Sequence, residues 1–304
     1  MYAKERVINI ICNMQYIIAR EFLNELYASG IPYSIIKGCP LEFMKNGTFC
    51  GRIINDIDIL VDRTQAPNVI SLLKKNGYLL PNNIQRGEYI AAISSSHQYP
   101  VYYKYVGSFY SQVDVNFDVF WGEYHGERFS ISSLLENTID LNFCGCSIKT
   151  ISPMKHLIVT ILHHYKEMNS IFHLLGHQAI KARMFDDIRK LLENHPHVFD
   201  PEKVYCECSF YKILPYAYYM LYYTNLYYGD NCLNQYVQAL KCIEGVALLD
   251  KYGLCDYERK EWKLCFFDRF DENKVKSFLL DELEEKDVEK FDFNKRIFGA
   301  KNED

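Results

Sequence analysis

"GRIINDIDILVDR", residues 51–63, sets two aspartates one residue apart inside a run that is otherwise apolar and β-branched. Ile57 separates Asp56 from Asp58, and Ile59, Leu60 and Val61 follow. Short β-branched runs of this kind form strands, and residues i and i+2 of a strand share a face. The two carboxylates are therefore expected side by side, about 6–7 Å apart along the strand. Half-buried like charges raise each other's pKa and destabilise a fold unless a cation compensates them. An isolated Asp-X-Asp is also what the wet face of an edge strand looks like, so its surroundings decide the reading.

Upstream, residues 4–29 place Val7, Ile10, Ile11, Met14, Ile17, Ile18, Phe22 and Leu26 at helical spacing and stop at Ser29–Gly30. "IPYSIIKG" (31–38) reads as a short buried strand. "CPLEFMKNG" (39–47) reads as a short helix with Pro40 in its first turn and Gly47 as its stop. Downstream, Thr64 is expected to cap a helix through "APNVISLLKKNG" (66–77). "YLL" (78–80) suggests an edge strand and "YPVYYKYV" (99–106) another.

"SQVDVNFDVFWG" (111–122) alternates strictly, with Val113, Val115, Phe117 and Val119 on one face and Asp114, Asn116 and Asp118 on the other. A period of two makes it a strand. It supplies a third carboxylate, for which Asp114, flanked by valines, is preferred to Asp118. Neighbouring strands should bring Asp56, Asp58 and Asp114 to a common point. Hard oxygen donors of that kind suit Mg²⁺. Two such ions about 3.5–4 Å apart would serve a phosphoryl-type displacement.

From about residue 150 the pattern turns helical. "SPMKHLIVTILHHYKEM" (152–168) opens with Ser152 as an N-cap and Pro153 at the first helical position, and "IKARMFDDIRKLLENH" (180–195) is again apolar at helical spacing. "YKILPYAYYMLYYTNLYYG" (211–229) reads as a tyrosine-rich packed helix, and Gly229, Gly245 and Gly253 as helix breakers. His163 and His164 read as hydrogen-bonded structural histidines. His173 and His177 have the spacing of a metal pair but no evident third ligand, and Arg183 with Asp187 has the spacing of an intrahelical ion pair. The chain therefore divides into an α/β half, 1–150, and a helical half, 151–304.

Composition excludes several classes. A formal charge of −5 argues against a protein that coats nucleic acid. The eleven cysteines include no CxxC pair. Their odd number, with no leader-like N-terminus, points to reduced thiols and a cytoplasmic location. No run approaches the roughly 18 apolar residues that span a bilayer.

"IIKG" followed by a short helix, then Arg52, "DIDILV", a helix and "NGY", resembles the polymerase-beta-type nucleotidyltransferase superfamily. More closely, it resembles an uncharacterised bacterial nucleotidyltransferase family with a KG…R…DIDxLV pattern. "VDVN" (113–116) and the helices carrying His163, His164 and Asp187–Ile188 match more loosely. The likeness covers roughly residues 30–195 and is strongest over 34–62. It implies an α+β fold, a minimal nucleotidyltransferase mixed sheet with flanking helices, followed by an all-helical C-terminal region that covers the cleft.

The resemblance also implies roles. Asp56 and Asp58 would hold both catalytic Mg²⁺ ions, with Mn²⁺ as a substitute, and Asp114 would help deprotonate the acceptor hydroxyl. Gly38 would open the loop whose N–H groups meet the triphosphate, and Lys37 and Arg52 would neutralise phosphate charge. The superfamily's usual Gly-Ser pair is here Lys37–Gly38. The implied reaction moves an NMP from an NTP to an acceptor (small molecule, protein or RNA) and releases pyrophosphate. Two alternatives stand beside it: a catalytically degenerate nucleotide-binding or regulatory module, and a toxin-type nucleotidyltransferase of a toxin–antitoxin pair.

Overall fold

Period-two apolar patterning produces the strands that carry the aspartates, and helices of amphipathic sequence close over one side of them. The computed structural model describes residues 2–49, 53–81, 84–120, 129–176, 180–256 and 258–298. It begins with α1 (Tyr2–Ala28), β1 (Tyr33–Ile36), α2 (Gly38–Asn46), β2 (Ile57–Val61), α3 (Ala66–Lys75) and α4 (Arg86–Ser95). There follow β3 (Tyr102–Val106), β4 (Phe109–Asn116), α5 (Ile131–Leu135), β5 (Ile139–Phe143), β6 (Cys146–Thr150) and α6 (Pro153–Asn169). Next come α7 (Ile171–Leu175), α8 (Ala182–Asn194), α9 (Pro201–Phe210), α10 (Leu214–Tyr228), α11 (Asn234–Ala239) and α12 (Ile243–Leu248). The two-residue strands β7 (Lys251–Tyr252) and β8 (Lys260–Glu261), a 3₁₀ turn over Phe266–Phe270, α13 (Glu272–Glu282) and α14 (Glu285–Phe298) complete it.

The chain forms two compact units. One is Met1–Val119 with Arg128–Val159; the other is Phe120–Glu127 with Thr160–Asp304, so the division falls inside α6. No helix among the described residues is long and apolar enough to cross a membrane.

The first unit is built on a mixed four-stranded sheet in the order β1-β2-β4-β3. β2 and β4 run parallel, and the other two pairings are antiparallel. A parallel pair needs a crossover, which the intervening segment with α3 supplies. One face of the sheet presents Tyr33, Ile35, Ile57, Ile59, Val61, Val113 and Val115. Against it pack Tyr16, Ala19, Phe22, Leu23 and Leu26 of α1 and Val69, Ile70 and Leu73 of α3. Each fully buried aliphatic side chain there contributes about 1.5–3 kcal/mol. Because the pleat alternates, that packing turns Asp58, Asp114 and Asn116 to the opposite face.

Several local expectations are corrected. Thr64 does not cap α3 with its side chain; its N–H and hydroxyl donate to Asp62 Oδ1 (2.9 and 2.6 Å), and Gln65 occupies the cap position. The strand expected at 78–80 shrinks to one bridge, Leu79 with Tyr103. The strand expected over 111–122 is β4, which ends at Asn116; beyond it the N–H groups of Phe117 and Asp118 donate to His97 O. α4 and the β5–β6 hairpin are additions the sequence does not announce.

In the second unit, Tyr216, Tyr218, Tyr219 and Tyr223 of α10 are buried, as the tyrosine-rich stretch suggests. Tyr219 donates its hydroxyl to Asn169 Oδ1 (3.1 Å), so the phenol's polar end is satisfied. The fully buried Arg269 donates to Tyr223 Oη (3.1 Å), Asp250 Oδ1 (3.0 Å) and Leu264 O (3.2 Å). Gly245 is no breaker: it lies within α12, where a Cβ would stand 2.8 Å from the Tyr218 ring. No disulfide joins the described cysteines.

Candidate active site

In the parallel ladder Asp58 is the register partner of Asp114. Such neighbours project from one face with backbones about 4.8 Å apart. Both are buried, at 5% and 8% exposure. Asp56 precedes β2 and is half-buried, and its charge reaches both Asp114 and Lys37. Asn116 donates Nδ2 to Asp58 Oδ1 (3.2 Å), and Gln112 donates Nε2 to Asp114 Oδ1 (3.4 Å). Gln112 is an addition to the expected set, although period two puts it on the face of 114 and 116.

The cation on this face is Lys37, whose Nζ lies 2.8 Å from Asp58 Oδ1. Its partner is thus a carboxylate, where the sequence resemblance implies a phosphate. Asp58 and Asp114 share a face and Asp56, just before β2, acts on the cluster by charge, but the three do not close to ligand spacing. Among the described residues, the group whose donor atoms all lie within 4.8 Å of one another is a different one, on α6. The charges of the three aspartates are nonetheless coupled. Burial, then the charges of Asp56 and Asp58, hold the Asp114 carboxyl well above the usual carboxylate range, with Lys37 and Gln112 pulling the other way. Burial alone would lower the Lys37 ammonium, but Asp58, Asp56 and Asp114 together raise it above its ordinary value. Tyr103 on β3 also feels the cluster: burial, then Asp114, push its phenol up to about 12.

The turn between β1 and α2 delivers this lysine. Lys37 has φ 57° and Gly38 φ 46°, two successive residues in the left-handed half of the map. For the lysine this costs on the order of 1–3 kcal/mol. Gly38 answers a second demand as well, because a Cβ there would lie 3.3 Å from Ile54 Cγ2 and 3.8 Å from Asp56 O. The start of α2 is thereby brought against the segment that carries Asp56. Pro40 has no N–H, and Leu41 N–H closes onto Lys37 O (3.1 Å), so Gly38 and Cys39 supply the donors of the first turn. Buried side chains brace the turn from behind. Gln15 Nε2 donates to Ile54 O (2.9 Å), and Thr150 Oγ1 donates to Ile35 O (2.7 Å) with His156 Nε2 2.9 Å away. Arg52 lies outside the described residues.

A family model described as "Uncharacterised nucleotidyltransferase" matches residues 6–229. The chain belongs to this nucleotidyltransferase family. The family match takes in the whole sheet and both aspartate strands and runs on through α10; α11 to α14 lie beyond it. Against curated proteins, the chain finds no match. Among solved structures, it is similar to an antigenic nucleotidyltransferase-like protein from Paracoccidioides brasiliensis. The two share 17% identity over 77% of this chain and 94% of that one, with a TM-score of 0.37, too loose a likeness to support any inference about the site.

Proposed function

We propose that the chain is a metal-dependent nucleotidyltransferase that moves an NMP from an NTP to an acceptor hydroxyl and releases pyrophosphate. The observation that carries this reading is the register pairing of Asp58 with Asp114 on adjoining parallel strands, with Asp56 alongside and the start of α2 next to them.

The donor set fits a hard divalent cation. All three candidate ligands, Asp56, Asp58 and Asp114, offer oxygen, and among the described residues the cation in contact with them is the Lys37 ammonium, which leaves negative charge for a metal ion to match. When bound, Mg²⁺ or Mn²⁺, as two ions, would supply charge neutralisation at the transferring phosphoryl group. The chain's own groups do the rest. Asp114, whose ionised carboxylate is made more basic by burial and by the charges of Asp56 and Asp58, accepts the proton of the acceptor hydroxyl. A new bond joins the acceptor oxygen to the α-phosphorus while the bond to pyrophosphate breaks. The N–H groups of Gly38 and Cys39 and the ammonium of Lys37 receive the phosphate charge, and Arg52 is assigned the same role from its sequence position. Lys37 must leave Asp58 to do so, which couples metal entry to phosphate binding.

The test is pyrophosphate release with Mg²⁺, each NTP in turn and a panel of small-molecule, protein and RNA acceptors. Loss of release in Asp56→Asn and Asp58→Asn is expected. Full release in both would refute the assignment. NTP binding by calorimetry without release from any acceptor would favour a degenerate binding module.

A further inference from the structure

The second unit holds a cluster of different chemistry. His163, His164 and Glu167 of α6 place their donor atoms within 4.8 Å of one another. His164 is clasped on both sides: Nδ1 is 3.1 Å from Glu167 Oε2, and Nε2 is 3.1 Å from Asp187 Oδ2 on α8. His163 Nε2 lies 3.5 Å from Glu167 Oε1. His164, Glu167 and Asp187 are buried, whereas His163 keeps 22% of its side chain in solvent.

We propose that His163, His164 and Glu167 bind one divalent transition-metal ion of the zinc class, with Asp187 orienting His164 from behind and water completing the coordination. Two imidazoles and one carboxylate with an open position are an established zinc donor set. Metal–ligand bonds of about 2.0–2.1 Å in a tetrahedron put the donors about 3.3 Å apart; the two imidazoles stand 3.5 and 3.1 Å from different oxygens of Glu167, so a small turn of that carboxylate brings one oxygen to both.

The hydrogen bonding fits a site where a metal ion exchanges with a proton. A neutral imidazole has one N–H and cannot donate to two carboxylates, so metal-free His164 meets both as an imidazolium, burial lowering its pKa and the Asp187 and Glu167 hydrogen bonds raising it above the ordinary value. A metal at Nδ1 leaves the proton on Nε2 for Asp187, the outer-shell arrangement that fixes the tautomer of a metal-bound histidine. Two positive charges then balance Glu167 and Asp187. Without metal, Arg183 contributes to that balance. Its Nη2 lies 3.6 Å from Glu167 Oε1, and its half-exposed side chain can turn to solvent when an ion enters. His173 also bears on Glu167 by charge. The nitrogen donors separate this site from the all-oxygen set of the sheet, so the proposal stands independently of the nucleotidyltransferase reading.

The experiment uses the full chain, stripped with a chelator and titrated with Co²⁺ in excess Mg²⁺. One equivalent of Co²⁺ is expected to give tetrahedral visible absorption without sulfur-to-cobalt charge-transfer bands. Zn²⁺ should displace it and raise the Tm by several degrees. His163→Ala should weaken Co²⁺ binding at least tenfold and lose the Tm rise, with an unchanged metal-free circular dichroism spectrum. Should His163→Ala misfold, His163→Gln carries the same expectation. Asp56→Asn should keep the full signal. No saturable absorption in the wild type, absorption dominated by sulfur-to-cobalt bands, or affinity unchanged in the His163 variant would each overturn the proposal.

Discussion

The two units bury acidic side chains in opposite ways. On the sheet, backbone register places Asp58 beside Asp114, with Asp56 near both, and Lys37 as the cation in contact. Between α6 and α8, Glu167 at i+3 and Asp187 from the neighbouring helix fold two carboxylates around the His164 imidazole, with His163 beside Glu167 at i, i+4. The sheet fixes its acidic groups where the strands put them, and burial with the charges of Asp56 and Asp58 holds the Asp114 carboxyl well above the usual range. The helices instead place an imidazole against each of their carboxylates. Under the two proposals, the first arrangement would take a hard cation through oxygen alone and the second a softer one through nitrogen as well.

The sharpest way to break this contrast is Asp114→Asn. Nucleotidyl transfer should fall by about 10³-fold, roughly 4 kcal/mol of transition-state stabilisation. Metal-free stability should rise by about 1 kcal/mol, because the folded state disfavours that charge. Pyrophosphate release and urea melts on the same preparation check both. A loss of stability would show that the sheet face is already balanced.

The next effect is on pH. Burial pushes the His156 imidazole down to about 3. An unfolded histidine titrates near 6.5, so the stability tied to the neutral ring is present above about pH 6.5 and drains as pH falls toward 3. Between pH 7 and 4.5 this amounts to about 2–3 kcal/mol. Urea melts at those two pH values should show a shallower loss in His156→Gln.

Lys37→Met probes the counter-cation. Metal-free stability should drop by about 2 kcal/mol as Asp58 loses its partner, yet Mn²⁺ affinity without nucleotide should rise several-fold. Calorimetric Mn²⁺ titration decides; weaker binding would mean that the lysine helps hold the ion and does not compete with it. The smallest effect belongs to the second unit. Arg183→Ala, at a half-exposed pair, should change stability by less than about 0.5 kcal/mol.

Much of the sheet was legible because period two survives in a half-buried strand. The alternation of residues 113–116 and of 57–61 places the side chains correctly by face, whereas Asp56 falls just before the strand expected to carry it. α4 is hidden in the sequence because Tyr89 to Ile93 is a contiguous run with no helical stripe. The β5–β6 hairpin turns on Cys144–Gly145, both at positive φ. That geometry normally advertises itself with Asn or Asp in the first place, and a cysteine gives no such signal. The Lys37–Asp58 contact was beyond reach for another reason: it depends on the antiparallel register of β1 against β2, where Ile36 faces Asp58. Arg183 and Asp187 share a helix at pairing distance, but which acidic or basic group each meets across α6 is a matter of tertiary packing.

The parallel pairing of β2 with β4 has a consequence for synthesis. Asp56 and Asp58 leave the ribosome well before Asp114, and the antiparallel partner that brings Lys37 is already out by then. Until residue 114 pairs with residue 58, Lys37 faces only Asp56 and Asp58. The third acidic group joins them last, so under the proposed function the set that would hold magnesium is complete only once β4 has been added to the sheet.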